Sequence, residues 1–306
     1  MIRIMTVDDE PFFISDFRDT IKRIGGNYRV ICEAYDAQDA LHKIGIYKPD
    51  IIFIDIKMPR VDGISLLKKV REQYAYVVPI ILSGYPDFSL AREALRAEAD
   101  DYLLKPIDKH KLSAVLKNKT DKVISLRRKA QQELLSSCLK NTLVSNDDLE
   151  LYFNYNWYYL LMITGDSINL DKNILTEITS CYLSDDENYW IINQTSEDNV
   201  LLLFGLNSTD KSALKEIGAQ LLQNSSPQVI ISSIIISNPF FNIRSLNCIA
   251  EKMKTDKDLM QLLGEPLVTL FEGHNFSTQK ELYDMLRKEF ESKLHMALWT
   301  HNWSNF

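Results

Sequence analysis

Over the first 125 residues, short apolar runs rich in β-branched side chains alternate with stretches whose apolar positions recur at helical spacing. The runs near 2–7, 28–33, 50–54, 77–82 and 101–104 predict strands. The stretches near 11–24, 37–46, 64–74, 87–97 and 108–125 predict helices, which makes five βα units. IIFI at 51–54 and VVPIIL at 77–82 are apolar at every position, not at alternate ones. Such strands need cover on both faces, and a parallel sheet between two helix layers supplies it. The expected fold class is α/β, an open, five-stranded, doubly wound parallel sheet. Pro11 suits the first turn of a helix with Asp9 or Glu10 as its cap, and Gly25-Gly26 supplies the stop.

From Ile107 to about Leu143 the chain holds no Gly or Pro, and Leu112, Leu116, Val123, Leu126, Ala130 and Leu134 form an apolar stripe along one long helix. Two partners suit this stripe equally. A second copy would pair with it as a coiled coil, or the helix packs on its own chain and runs into a linker, since Lys119 interrupts the stripe and heptads are not sustained. Arg127-Arg128-Lys129 is expected on a solvated face.

After a polar break at Ser145-Asn146-Asp147-Asp148, the pattern predicts strand 157–163, helix 171–183, strands 189–194 and 200–204, helix 210–223, strand 229–236 and helix 243–254. The order βαββαβ, with 189–204 as a central hairpin, predicts an α+β ferredoxin-like core. The aromatic cluster Tyr152, Phe153, Tyr155, Trp157, Tyr158 and Tyr159 has the look of a stacking platform, but beside an acidic domain it reads as a buried strand and the chain leading into it.

Length and charge sharpen this picture. At about 150 residues per domain, 306 residues suggest two domains. Residues 1–125 hold 20 Lys+Arg against 19 Asp+Glu, and residues 126–306 hold 15 against 23. A DNA-holding domain neutralises phosphates with a basic face, so the acidic second half argues against nucleic-acid binding. Apolar runs such as Val229–Ile236 fall far short of the roughly 18 residues of a spanning helix, and Met1 opens directly onto IRIMTV rather than a charged leader. A soluble, cytoplasmic protein without membrane partners is expected. Cys32, Cys138, Cys181 and Cys248 lie far apart with no CxxC spacing, which predicts small core residues rather than a disulfide framework or zinc site.

Four features fall at the carboxyl ends of predicted strands, which in an open parallel sheet face one edge. Asp8-Asp9 follow the first strand, Asp55 ends the third, Ser83 ends the fourth and Lys105-Pro106 ends the fifth. Each alone has an ordinary explanation as a cap, turn or surface charge, except Asp55, which closes a fully apolar run. Three carboxylates in one cleft repel each other unless a cation lies between them, and an oxygen-only set of this size suits Mg²⁺. Beside Mg²⁺, a carboxylate can take a phosphoryl group as an aspartyl-phosphate, with Lys105 and Ser83 holding the incoming oxygens.

VDDE at 7–10, FIDIKMPRVDG at 53–63, ILSGYPDF at 81–88 and DDYLLKPID at 100–108 together resemble the flavodoxin-like receiver domain of two-component response regulators, over residues 1–125. The resemblance implies that Asp55 is the phosphoacceptor and that Asp9, Asp55 and the Lys57 backbone carbonyl ligate Mg²⁺, with Asp8 behind them. It implies Ser83 and Lys105 as phosphate-binding groups, Ser83 and Tyr102 as a switch pair, and a cis peptide at Lys105-Pro106. It further implies a sensor histidine kinase as partner, and a protein that is a switch, not an enzyme beyond its own phosphorylation and dephosphorylation.

The wording DIKMP, LSGYPDF and DDYLLKPID with a long following helix is most similar to AraC-type response regulators of Gram-positive bacteria. That implies a receiver over 1–125, a long helix and linker over 108–144, a degenerate diguanylate-cyclase-like middle domain over 150–255 and a helical C-terminal segment over 256–306. An active cyclase would carry a Gly-Gly-acidic-acidic turn on its central hairpin. This one reads Gln194-Thr195-Ser196-Glu197-Asp198-Asn199, a solvated turn without the glycines that admit a nucleotide's phosphates. No helix-turn-helix pair follows, so the chain reads as truncated ahead of its DNA-binding output or as a regulator acting through protein contacts. It is expected not to bind DNA as given. The output expected is regulation of transcription by changed domain contacts, or homodimer contacts through strand five and the long helix. The alternatives are a non-DNA-binding regulator and, disfavoured by the missing Gly pair, an enzyme with cyclic-nucleotide output.

Overall fold

The computed structural model describes residues 1–166, 172–184, 187–193, 199–210, 212–223, 230–263 and 268–270. Its contacts divide the chain into Met1–Ala130 and Gln131–Phe306.

β1 (Ile2–Val7), α1 (Pro11–Ile24), β2 (Tyr28–Ala34), α2 (Ala37–Tyr47), β3 (Ile51–Asp55), α3 (Gly63–Gln73), β4 (Val78–Ser83), α4 (Phe88–Arg96), β5 (Asp101–Leu104) and α5 (Lys109–Leu139) alternate strictly, and α5 runs on past Ala130, where the first unit ends. The strands pair in parallel in the order β2-β1-β3-β4-β5. The apolar runs divide between the two faces because successive strand residues point opposite ways. Met5, Val7, Ile52 and Ile54 pack with α2 and α3 through Ile44, Leu66 and Val70. Ile4 and Phe53 pack on the other face with Phe17 and Ile21 of α1 and Leu112, Leu116 and Val123 of α5.

Helix starts follow local chemistry. Asp36, Asp62 and Asp87 precede α2, α3 and α4, and their side chains accept backbone N–H groups of the first turn. α1 departs from expectation. Glu10 stands at its N-cap but makes no capping bond with its side chain, and Pro11, lacking an N–H, relieves the need. Gly25 ends the helix at φ 71°, a left-handed backbone that glycine adopts without cost.

On α5, three of the six stripe residues, Leu112, Leu116 and Val123, are buried in the core of the first unit, so these positions pack on their own chain. Lys119 pairs with Asp101 at 3.0 Å and donates to the Asp100 carbonyl. Arg127 corrects the expectation of a solvated face: its guanidinium lies on Asp50, with Nε 2.9 Å from Oδ1 and Nη2 2.5 Å from Oδ2. Arg3 holds the same carboxylate from β1, its backbone N–H at 2.6 Å and its Nη2 at 2.9 Å.

In the second unit, the expected polar break is instead the start of a helix, α6 (Asn146–Tyr152), with Asp147 and Asp148 in its first turn. There follow β6 (Trp157–Asp166), α7 (Lys172–Tyr182), β7 (Asn188–Asn193), β8 (Asn199–Leu206), α8 (Ser212–Gln223), β9 (Ile230–Ile236), a 3-10 turn at Ile243–Ser245, α9 (Leu246–Leu263) and β10 (Val268–Leu270). The sheet order is β10-β9-β6-β8-β7, with β8 antiparallel to β6 and β7, and β9 antiparallel to β6. Two β-α-β units thus interleave, each leaving a gap that a strand of the other fills. β10, parallel to β9, falls where a helical segment was expected from residue 256 on.

The aromatic cluster is consumed by packing. Phe153 meets Trp190 edge-on at 5.1 Å, Tyr158 lies on Phe240 at 5.8 Å, and the Tyr159 hydroxyl donates to the Thr209 carbonyl at 2.9 Å. Of the cysteines, Cys32 and Cys138 are buried as expected, whereas Cys181 and Cys248 are exposed on α7 and α9. Residues 194–198 of the hairpin and residues 271–306 lie outside the described residues. No helix among the described residues is long and apolar enough to cross a membrane.

Candidate phosphoryl-accepting site

The strand order reverses at β1, with β2 on one side and β3 on the other, and the crevice beyond the carboxyl ends of these strands is where ligands bind in open α/β sheets. Asp8 follows β1, and Asp55 closes β3 two residues beyond Phe53 of the core. The ammonium of Lys105, just past β5, reaches both: its Nζ lies 2.5 Å from Asp8 Oδ2 and 2.6 Å from Asp55 Oδ1. The backbone fixes these groups from behind. Asp8 Oδ1 accepts the Glu10 N–H at 3.0 Å, Asp55 Oδ2 accepts the Lys57 N–H at 2.8 Å, and the Lys105 N–H donates to the Ser83 carbonyl at 2.8 Å. The peptide between Lys105 and Pro106 is cis.

Burial pushes the carboxyls of Asp8 and Asp55 above the ordinary range, and the Lys105 ammonium only partly offsets that push. The same burial works against the charge on Lys105, yet its bonds to Asp55 and Asp8 outweigh it and hold the ammonium protonated beyond its usual range. Asp9 is exposed at the mouth of the crevice, and its charge adds to the upward push on Asp55. Among the described residues, no three or more His, Cys, Asp and Glu side chains are gathered as a metal cage.

Ser83 is buried at the end of β4, and its hydroxyl turns to its own loop, donating to the Tyr85 carbonyl and accepting the Tyr85 N–H, both at 3.1 Å. The Tyr102 hydroxyl donates to that same carbonyl at 3.2 Å. Lys57 sends its ammonium over the Tyr85 ring, 3.6 Å from the centroid, and away from Asp55, to which it gives only its backbone N–H. A cleft of about 490 Å³ opens beside these groups, lined by Asp9, Lys57, Met58, Pro59, Asp62 and Glu93 among others.

Three contributors were not singled out in the sequence. Tyr85 receives both hydroxyls through its backbone, which no side-chain pattern signals. Phe13 lies against Lys105 from α1. Gly63 stands so close to β3 that a Cβ there would meet the Asp55 carbonyl oxygen at 2.0 Å, and the signal available was a glycine directly after the capping Asp62.

Residues 4–117 match the response regulator receiver domain family. Over 118 residues the chain is 36% identical to an uncharacterized response regulatory protein of Vibrio vulnificus, covering 38% of this chain and 47% of that protein. It is 32% identical to the transcriptional regulatory protein TrcR of Mycobacterium tuberculosis, covering 44% of this chain and 51% of that one. It is 30% identical to the uncharacterized transcriptional regulatory protein YesN of Bacillus subtilis, covering 47% and 38%. The chain thus spans about half or less of the length of these curated relatives. The first unit carries a receiver domain of the two-component response regulators, and its relatives over that stretch include transcriptional regulators.

Proposed function

We propose that this chain is a phosphorylation switch that accepts a phosphoryl group on Asp55 from a sensor histidine kinase and passes the event on through Ser83 and Tyr102. The observation that carries the reading is the Lys105 ammonium held 2.5–2.6 Å from both Asp8 and Asp55 in the crevice at the carboxyl ends of the strands. In the transfer, an Asp55 carboxylate oxygen forms a bond to phosphorus, the bond from phosphorus to the donor breaks, and its electron pair leaves with the donor. Lys105 meets the negative charge of the transferred oxygens, and Ser83 turns its hydroxyl from the Tyr85 carbonyl toward them.

The donor set fits Mg²⁺. Asp9 and Asp55 with the Lys57 carbonyl, backed by Asp8, are few and all oxygen, which suits an ion that keeps several waters. Buried carboxyls raised above their ordinary range are the groups a cation would steady. When bound, Mg²⁺ would neutralise carboxylate charge and accept a phosphoryl oxygen. Labelling with acetyl phosphate tests this: Asp9→Ala or chelation of Mg²⁺ should abolish it, and labelling that ignores the chelator would contradict the reading.

The named transcriptional regulators among the relatives support an output on transcription, reached through contacts of this chain and not through DNA binding by the acidic residues 126–306. AraC-type kinship remains part of this proposal, carried by the wording of the motifs. The strand order β9-β6-β8-β7 supports a ferredoxin-like second domain, and the hairpin sequence at 194–199, without paired glycines, supports one that has no cyclase chemistry.

A further inference from the structure

The Lys105 ammonium has a third neighbour besides the two carboxylates. The ring of Phe13 lies on it, with Nζ 4.0 Å from the centroid, and only 15% of the Lys105 side chain is exposed. Phe13 is itself held in place. Four residues along α1, Phe17 stacks on it with centroids 6.0 Å apart, and Phe17 packs on Phe53 of β3 at 4.8 Å. An aromatic ladder therefore runs from the core strand that carries Asp55 up to the ammonium. Phe12, one residue earlier and off this face, is 92% exposed and takes no part in the ladder.

We propose that Phe13 is a positioning residue that holds Lys105 over the crevice through a cation–π contact; this rests on the phosphoacceptor reading given above. The physical need is plain. Asp8 and Asp55 hold Lys105 only while their charge is free to do so. Once either is engaged by another cation, and before the phosphoryl oxygens arrive, the pull on the ammonium drops. The face of Phe13 attracts the ammonium whatever the state of the carboxylates, so Lys105 stays aimed where the transferred oxygens arrive. An aliphatic side chain at position 13 would pack on Phe17 and would offer no such face.

The test uses the whole chain with Phe13→Leu and Phe13→Tyr. In the wild type, the ε-methylene protons of Lys105 should resonate upfield through the ring current of Phe13. Phe13→Leu should lose that shift and slow labelling by acetyl phosphate about three- to thirtyfold. Phe13→Tyr, which keeps the ring, should restore both. A wild-type rate in Phe13→Leu, or a Phe13→Tyr chain as slow as Phe13→Leu, would overturn the proposal. Should the wild type take no phosphoryl group at all, the phosphoacceptor reading fails. The ε-proton shift then decides separately whether Phe13 holds Lys105: its presence supports the contact and its absence removes it.

Discussion

Ser83 and Tyr102 donate their hydroxyls to one acceptor, the backbone carbonyl of Tyr85, at 3.1 and 3.2 Å. One atom thus joins the hydroxyl proposed to turn toward the phosphoryl group to an aromatic on the neighbouring strand, and a change at the first alters the acceptor that the second shares. Ser83→Ala, which removes a donor to a charged oxygen, should slow labelling roughly ten- to hundredfold. Tyr102→Phe should leave the rate within about twofold and shrink the change in the Tyr85 amide resonance on phosphorylation. Equal loss of labelling in both variants would show that the two hydroxyls do not have separate roles.

Gly63→Ala tests the close approach of α3 to β3. A methyl group 2.0 Å from the Asp55 carbonyl oxygen has to displace one of the two segments. The expected cost is about 1–3 kcal/mol of stability, with slower labelling because Asp55 moves. Urea unfolding and labelling of the same sample check it. Unchanged values in both would mean that the helix start yields without disturbing the site.

Much of the first unit was legible because its strands are buried on both faces, so each polar residue that ends one is conspicuous. Asp55 stood out for that reason, Asp8, Ser83 and Lys105 only through their joint place at the strand ends, and the strand limits agree within one residue. Contacts that depend on distant partners were not legible. Arg127 reads as solvated until Asp50, 77 residues away, is seen beneath it. Phe13 reads as one more apolar helix residue until Lys105 is seen against it. The start of α6 was misread because the Ser and Asp residues that favour a first helical turn also make a polar loop.

The Asp50 cluster gives a pH dependence. Burial pushes its carboxyl up, but hydrogen bonds from Arg3 and Arg127 outweigh burial and hold it below the ordinary range. A carboxyl lowered in the folded state stabilises the fold above its unfolded value, about 3.9, and that contribution is lost as the pH falls through the folded value. Asp50→Ala, which leaves two guanidinium groups against an apolar side chain, should cost about 3 kcal/mol at neutral pH. Urea unfolding from pH 7 to pH 3 should show the gap between wild type and variant closing only below about pH 4. A gap that does not change with pH would contradict the pairing.

The second unit should neither bind GTP nor cyclise it, since 194–199 lack the glycines that bring backbone to a phosphate chain. Calorimetric titration of the whole chain with GTP and Mg²⁺ should give no binding heat. Micromolar binding would revive the enzymatic alternative.

Whether Asp55 takes the phosphoryl group with Lys105 beside it is read from peptide mapping after labelling with acetyl phosphate and Mg²⁺. A single acid-stable, base-labile phosphoryl group is expected on the peptide holding Asp55, absent in Asp55→Asn and strongly reduced in Lys105→Ala. A phosphoryl group that persists in Asp55→Asn, or that maps to another residue, would contradict it.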